Sequence, residues 1–229
     1  MISLSFRASR RSVLGAGAAL LAMGLQARAD EPPAILVVGD SQAQGLAGGL
    51  QRLFRRGRAW RVIDRSKIST GLLPRSSYDW PTQVHALVAA EHADVAVAMF
   101  GANDRPPPGA GAAQLASFEQ TYGAHVAEIA RTLKAACRVV IWVGHPIVRD
   151  EAYQADMKVL NAIYEKQATE AGAIFLPLWE RFSKDGQYDA FGPGEDGETT
   201  RLRADDGVHL SPAGYTAVAK LVMEKVATA

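Results

Sequence analysis

Between residues 34 and 177 the chain alternates short unbroken apolar runs with longer stretches in which apolar positions recur every three or four residues. The runs at 34–38, 60–63, 94–100, 138–143 and 173–177 are rich in Val and Ile and apolar nearly throughout. Such runs predict strands buried on both faces rather than strands with one wet side. The intervening stretches predict helices at about 43–56, 81–91, 112–136 and 151–171, with a last one at 212–227. Strand then helix, repeated, implies a parallel five-stranded sheet with helices on both faces. The fold expected is therefore α/β. Residues 183–205 carry Gly, Asp, Glu and Pro193 without periodicity, which predicts a long loop, either a lid over a site or a mobile connection.

The first 29 residues do not belong to this alternation. Arg7, Arg10 and Arg11 precede the apolar stretch 13–25, and Ala27-Arg28-Ala29 has the small-x-small form of a cleavage site. That order reads as a secretory signal peptide, leaving residues 30–229 as one mature domain. Ser9-Arg10-Arg11-Ser12-Val13-Leu14 further resembles a twin-arginine export signal, so the export machinery is an expected partner and the expected location is the periplasm or beyond. An uncleaved membrane anchor is the alternative, although the stretch is short and rich in Gly and Ala. Removing the leader takes away four arginines and no acidic residue, which turns a net charge of +1 into −3. A mildly acidic domain argues against nucleic acid as a partner. Cys137 is the lone cysteine; it cannot form an internal disulfide and reads as a small buried apolar residue.

The chemistry collects where strands end. Gly39-Asp40-Ser41 follows the first apolar run and precedes a helix, which puts a hydroxyl at the sheet edge beside helix-terminal N–H groups that favour developing negative charge. Asp40 or Ser41 serving only as a helix cap is the simpler use of these residue types. Near the far end, Asp206-Gly207-Val208-His209 sets a carboxylate three residues before an imidazole. At that spacing Asp206 can hold the Nδ1 proton while Nε2 turns toward a serine, the arrangement that acyl transfer requires. Asp205 is the rival carboxylate, in poorer register. Acyl transfer also needs donors for the oxyanion, and Gly101-Ala102-Asn103-Asp104 after the third run offers a side-chain amide, while Gly71 offers a backbone N–H that a ligand can approach closely.

Taken in order, Gly39-Asp40-Ser41, Gly71 within Ser69-Thr70-Gly71-Leu72, Gly101-Ala102-Asn103-Asp104 and Asp206-Gly207-Val208-His209 resemble the four signature blocks of the SGNH (GDSL-type) hydrolase superfamily, across nearly the whole mature chain. The resemblance implies a flavodoxin-like three-layer α/β/α sandwich. It implies Ser41 as nucleophile, His209 as base and Asp206 as its orienter, with the Ser41 N–H, the Gly71 N–H and the Asn103 side chain as oxyanion donors. One departure stands in the first block, where Gln42 follows Ser41 and leucine is usual. The longer strings STGL, YDWP, GANDRP, WVGHP and RADDGVHLSPAGY resemble a poorly characterised periplasmic bacterial branch of that superfamily. The branch points to O-acyl esters of cell-envelope carbohydrate, and it implies no cofactor and no metal.

Several neighbours of these blocks have two readings each. Arg105, Arg201 and Arg203 either bind an anionic group of the substrate or simply pair with nearby carboxylates. Trp80 and Trp142 are either a sugar-stacking platform or core. His145, after the fourth run, is placed to line the pocket. An exported serine esterase is the expected function; an O-acyltransferase on periplasmic glycans, or a glycan- or partner-binding protein without turnover, are the alternatives.

Overall fold

The computed structural model describes residues 31–57, 59–194 and 197–229; the expected leader and export signal lie outside them. A five-stranded sheet is made of β1 (Ala34–Gly39), β2 (Arg61–Ser66), β3 (Val95–Met99), β4 (Val139–Val143) and β5 (Ile174–Leu176). The strands run in the order β2-β1-β3-β4-β5, every pair parallel. The connecting helices are α1 (Ser41–Phe54), α2 (Trp80–Ala90), α3 (Ala112–Ala136), α4 (Glu151–Glu170) and α5 (Pro212–Ala227). This is the expected flavodoxin-like α/β/α sandwich.

Side chains of consecutive strand residues point to opposite faces, and each face has its own core. Ile35 and Val37 pack with Leu46, Leu50, Val218 and Val222 of α1 and α5. Leu36 and Val38 pack with residues of α2, α3 and α4, including Val84, Val126, Leu160 and Tyr164. Each large apolar side chain so enclosed contributes about 1.5–3 kcal/mol relative to exposure. Cys137 lies buried at the end of α3, as its surroundings in the sequence suggest.

Burial on both faces holds for β1, β3 and β4 but not for the edges. The second strand begins and ends later than expected and continues through Asp64, Arg65 and Ser66, with Ile63 its one buried residue. Its outer side has no partner strand, so polar side chains can turn to solvent there while the backbone pairs with β1 from Ala34↔Arg61 to Gly39↔Ser66. The segment expected as a plain loop also holds structure. Two small antiparallel ladders pair β6 (Ser183–Lys184) with β7 (Gln187–Tyr188) and β8 (Phe191–Pro193) with β9 (Thr199–Arg201). The first is closed by Asp185 and Gly186, both at positive φ, the backbone that two-residue hairpins need.

The order of strands decides where a ligand can bind. The chain moves from β1 outward to β2, then back past β1 to β3, so the connections leaving β1 and β3 diverge and open a crevice at their carboxyl ends. Ser41 follows β1 and Asn103 follows β3. Both stand at that crevice.

Candidate active site

The turn after β1 is tight enough to require glycine. Gly39 has φ +140°, and a Cβ there would lie 1.9 Å from the carbonyl oxygen of Met99 in β3. Asp40 follows, fully buried, and caps α1. Its Oδ1 accepts the Gln42 N–H at 2.9 Å, and its Oδ2 accepts the N–H groups of Gly101 and Ala102, each at 3.0 Å. One carboxylate thereby braces the nucleophile turn against the loop that carries Asn103. Burial pushes this carboxyl up to about 6, against the pull of those N–H groups. Ser41 opens α1, half-buried, with its hydroxyl at the crevice.

Between β9 and α5 the chain makes a bend in which His209 and Asp206 sit together. Ser41 Oγ lies 2.8 Å from His209 Nε2, and His209 Nδ1 lies 2.6 Å from Asp206 Oδ2. Asp206 Oδ1 accepts the N–H groups of Val208 and His209 at 2.8 and 2.9 Å. Burial works to raise the Asp206 carboxyl, but the Val208 and His209 hydrogen bonds outweigh it and hold the group below its ordinary range, so it stays ionised at neutral pH. Gly207, at φ +74°, makes the bend possible, and the Arg149 side chain fills the space a Cβ would take. The rival Asp205 is exposed and pairs with Arg201 instead. A polar cavity of about 630 Å³ opens beside this bend, lined by Arg149, Asp150, Glu151, Asp206 and Val208 among others.

The second and third blocks meet through a second buried carboxylate. Asp104 accepts the Leu72 N–H at 2.8 Å, the Leu73 N–H at 3.2 Å and the Tyr122 hydroxyl at 2.9 Å; burial raises its carboxyl above the usual range. Next to it, the exposed Asn103 donates one Nδ2 hydrogen to the Thr70 carbonyl at 2.8 Å, which orients the amide and leaves its second hydrogen for another acceptor. The C=O and N–H of a trans peptide point opposite ways. Since the Thr70 carbonyl faces Asn103, the Gly71 N–H is turned away from that amide. The structure thus joins Ser41, His209 and Asp206 by hydrogen bonds, but it does not aim Gly71 and Asn103 at one point.

The family profile described as a protein of unknown function, DUF459, matches residues 34–225. The chain belongs to the DUF459 family. No curated protein matches it. Solved structures share its fold at low identity. A protein from Slackia heliotrinireducens described as a candidate SGNH hydrolase is 20% identical, with a TM-score of 0.57 over 84% of this chain and 98% of that one. A variant of Axe2, an acetylxylan esterase from Geobacillus stearothermophilus, is 16% identical, with a TM-score of 0.55 over 85% and 94%. The periplasmic domain of the lipopolysaccharide acetyltransferase of Salmonella ser. Paratyphi A is 10% identical, with a TM-score of 0.57 over 85% and 84%. At these identities the likeness is one of fold.

In this DUF459 chain the remaining candidates separate by burial. Arg203 is fully enclosed and cannot meet a substrate. It donates to the carbonyls of Ile147, Val208 (3.0 Å), His209 (3.4 Å) and Gly207 (3.5 Å), and its guanidinium lies 4.9 Å from the centre of the Tyr188 ring. Burial pulls its pKa down to about 10. His145 is also fully buried rather than pocket-lining, because Asn161 holds its backbone N–H and C=O and draws the residue inward. Burial lowers its pKa to about 4, so it is neutral. Trp80 and Trp142 are core, with Phe100 between them at ring distances of 5.0 and 5.5 Å. Arg105 stays half exposed, paired with Asp156 at 2.5 Å and stacked on Tyr153. Arg201 is paired with Asp205. Asp104, inside the third block, and Gln42, directly after the first, carry contacts that the sequence reading did not assign, because their partners lie 18 to 173 residues away in the chain.

Proposed function

We propose that the mature chain is an exported serine esterase that removes O-acyl groups, acetyl or similar, from cell-envelope carbohydrate. The observation that carries this reading is the continuous hydrogen-bonded line from Ser41 Oγ through His209 to Asp206. Ser41 Oγ attacks the acyl carbonyl carbon while His209 Nε2 takes the hydroxyl proton, and Asp206 stabilises the imidazolium that results. The Ser41 N–H and the second Asn103 amide hydrogen stabilise the oxyanion. Collapse of the tetrahedral species breaks the C–O bond, and the departing sugar oxygen takes the proton from Nε2. Water then attacks the acyl-enzyme by the same route in reverse, releasing the acid and free Ser41.

The carbohydrate part of the reading rests on less specific support: the polar cavity beside the Asp206–His209 bend, the leader pattern with its twin arginines, and fold neighbours described as an acetylxylan esterase and a lipopolysaccharide acetyltransferase. No helix among the described residues is long and apolar enough to cross a membrane. The test is turnover of p-nitrophenyl acetate by the purified mature domain, with Ser41→Ala beside it. The variant should lose about 10⁴-fold or more in kcat, and a fluorophosphonate probe should label the wild-type chain at Ser41. Turnover that survives Ser41→Ala would remove the nucleophile. Product that forms only when a glycan hydroxyl is supplied would make the chain a transferase.

A further inference from the structure

Gln42 stands where the superfamily's first block usually has an apolar residue, and it is fully buried. An amide in such a place costs stability unless its hydrogen bonds are made. Here both ends are engaged across the molecule. Nε2 donates to the Val208 carbonyl at 3.2 Å, and Oε1 accepts the hydroxyl of Tyr215, on α5, at 2.8 Å. The Gln42 backbone N–H is held by Asp40, so a single residue touches the brace of the nucleophile turn, the bend that carries the base, and the helix that follows that bend.

The Val208 carbonyl belongs to the peptide whose N–H is that of His209. The carbonyl end is fixed by Gln42 and by Arg203, at 3.2 and 3.0 Å, and the N–H end is fixed by Asp206 at 2.9 Å. A planar unit pinned at both ends cannot rotate, so the backbone that carries the imidazole is set. Of the two groups on the carbonyl, Gln42 alone is covalently next to Ser41. Leucine would fill similar space but would have nothing to hold the Val208 carbonyl.

We infer that Gln42 is a positioning residue, whose carboxamide sets the place of the His209 imidazole relative to the Ser41 hydroxyl. This rests on the proposed Ser41–His209 chemistry. A displacement of the base by about 1 Å is enough to cost on the order of 100-fold in rate. Gln42→Leu should therefore fold, lower kcat on p-nitrophenyl acetate by about 10- to 100-fold, leave KM within about 3-fold, and slow probe labelling of Ser41 by the same factor as kcat.

A second readout needs no turnover. The ring ¹⁵N shifts of His209, followed by NMR through a pH titration of wild type and Gln42→Leu, should show Nε2 losing its hydrogen-bonded shift in the variant. Tyr215→Phe, which removes only the hydroxyl that orients the carboxamide, should move kcat and the titration the same way by a smaller factor, and it carries the test if Gln42→Leu does not fold. A folded Gln42→Leu, or in its stead Tyr215→Phe, with wild-type kcat and an unchanged His209 titration overturns the inference, even if its melting temperature falls. If the wild-type chain neither turns over esters nor takes the probe, the esterase reading fails by itself, and the NMR comparison still decides what Gln42 does.

Discussion

The two sides of the crevice are braced by different sets of charge, carboxylates alone around Ser41 and a carboxylate with a buried guanidinium around His209. After β1 and β3 the braces are anionic: Asp40 and Asp104, both buried, gather the N–H groups of Gln42, Gly101, Ala102, Leu72 and Leu73. Around the Asp206–His209 bend Asp206 holds two N–H groups and a cation is added: Arg203 gathers four carbonyl oxygens. The difference follows from which backbone groups each loop leaves over. The N–H groups so held lie at the start of α1 (Gln42) and in the loops after β3 and before α2, and a carboxylate accepts several of them. The bend before α5 turns several carbonyls toward one buried point, and a guanidinium with five N–H donors fits a cluster of that kind.

The contrast can be broken from either side, and the largest effect is expected at the cation. Arg203→Met would keep most of the volume but take a donor from the carbonyls of Ile147, Gly207, Val208 and His209, of which the last three keep one each from Arg149, Gln42 and Ala204, at a cost of about 1–3 kcal/mol. Urea unfolding should show that loss. A variant as stable as wild type would mean that the bend holds itself.

A smaller, pH-dependent effect is expected at Asp40. Its folded value of about 6 lies above the ordinary 3.8, so between those values the folded chain keeps a proton that the unfolded chain has released. The stability tied to this proton is fully present below the window and is lost as pH rises through it. Asp104, raised by burial as well, contributes with the same sign. Asp40→Asn should flatten part of that slope when unfolding is compared at about pH 4 and pH 7. It should also lower activity, because an amide cannot accept at both ends. An unchanged slope would place the titration elsewhere.

The smallest effect belongs to Arg105, whose ion pair with Asp156 is half exposed. Arg105→Ala should change stability by no more than about 0.5 kcal/mol, measured by the same unfolding curve. A larger loss would mean that the stack on Tyr153, and not only the charge, supports the Ala102 loop.

What the sequence disclosed and what it hid divide along the same line. Strands β1, β3 and β4 were legible because burial on both faces leaves unbroken apolar runs, and Ser41, Asp206 and His209 were legible because each follows a strand or stands three residues from its partner. The path of β2 was not, since an edge strand tolerates Asp64 and Arg65 and so loses its apolar mark. The small ladders within 183–205 were hidden by polar composition, although Asp185-Gly186 is a hairpin signal in its own right. Arg203 had two readings, a substrate contact or a partner of a nearby carboxylate, both at the surface, and nothing within its own segment records that Ile147 and Tyr188 enclose it. Gln42 read as an indifferent departure for the same reason: its partners Val208 and Tyr215 are more than 160 residues away.

Ser41 and His209 are 168 residues apart in the chain, yet their side chains are in contact. A ribosome making this protein therefore delivers the hydroxyl early and the imidazole late, and no partly synthesised or prematurely ended chain that lacks the bend before α5 can hold both. Contacts of such long sequence separation are also among the slowest to form in folding. The contact on which the proposed chemistry rests is therefore made only when the domain is complete.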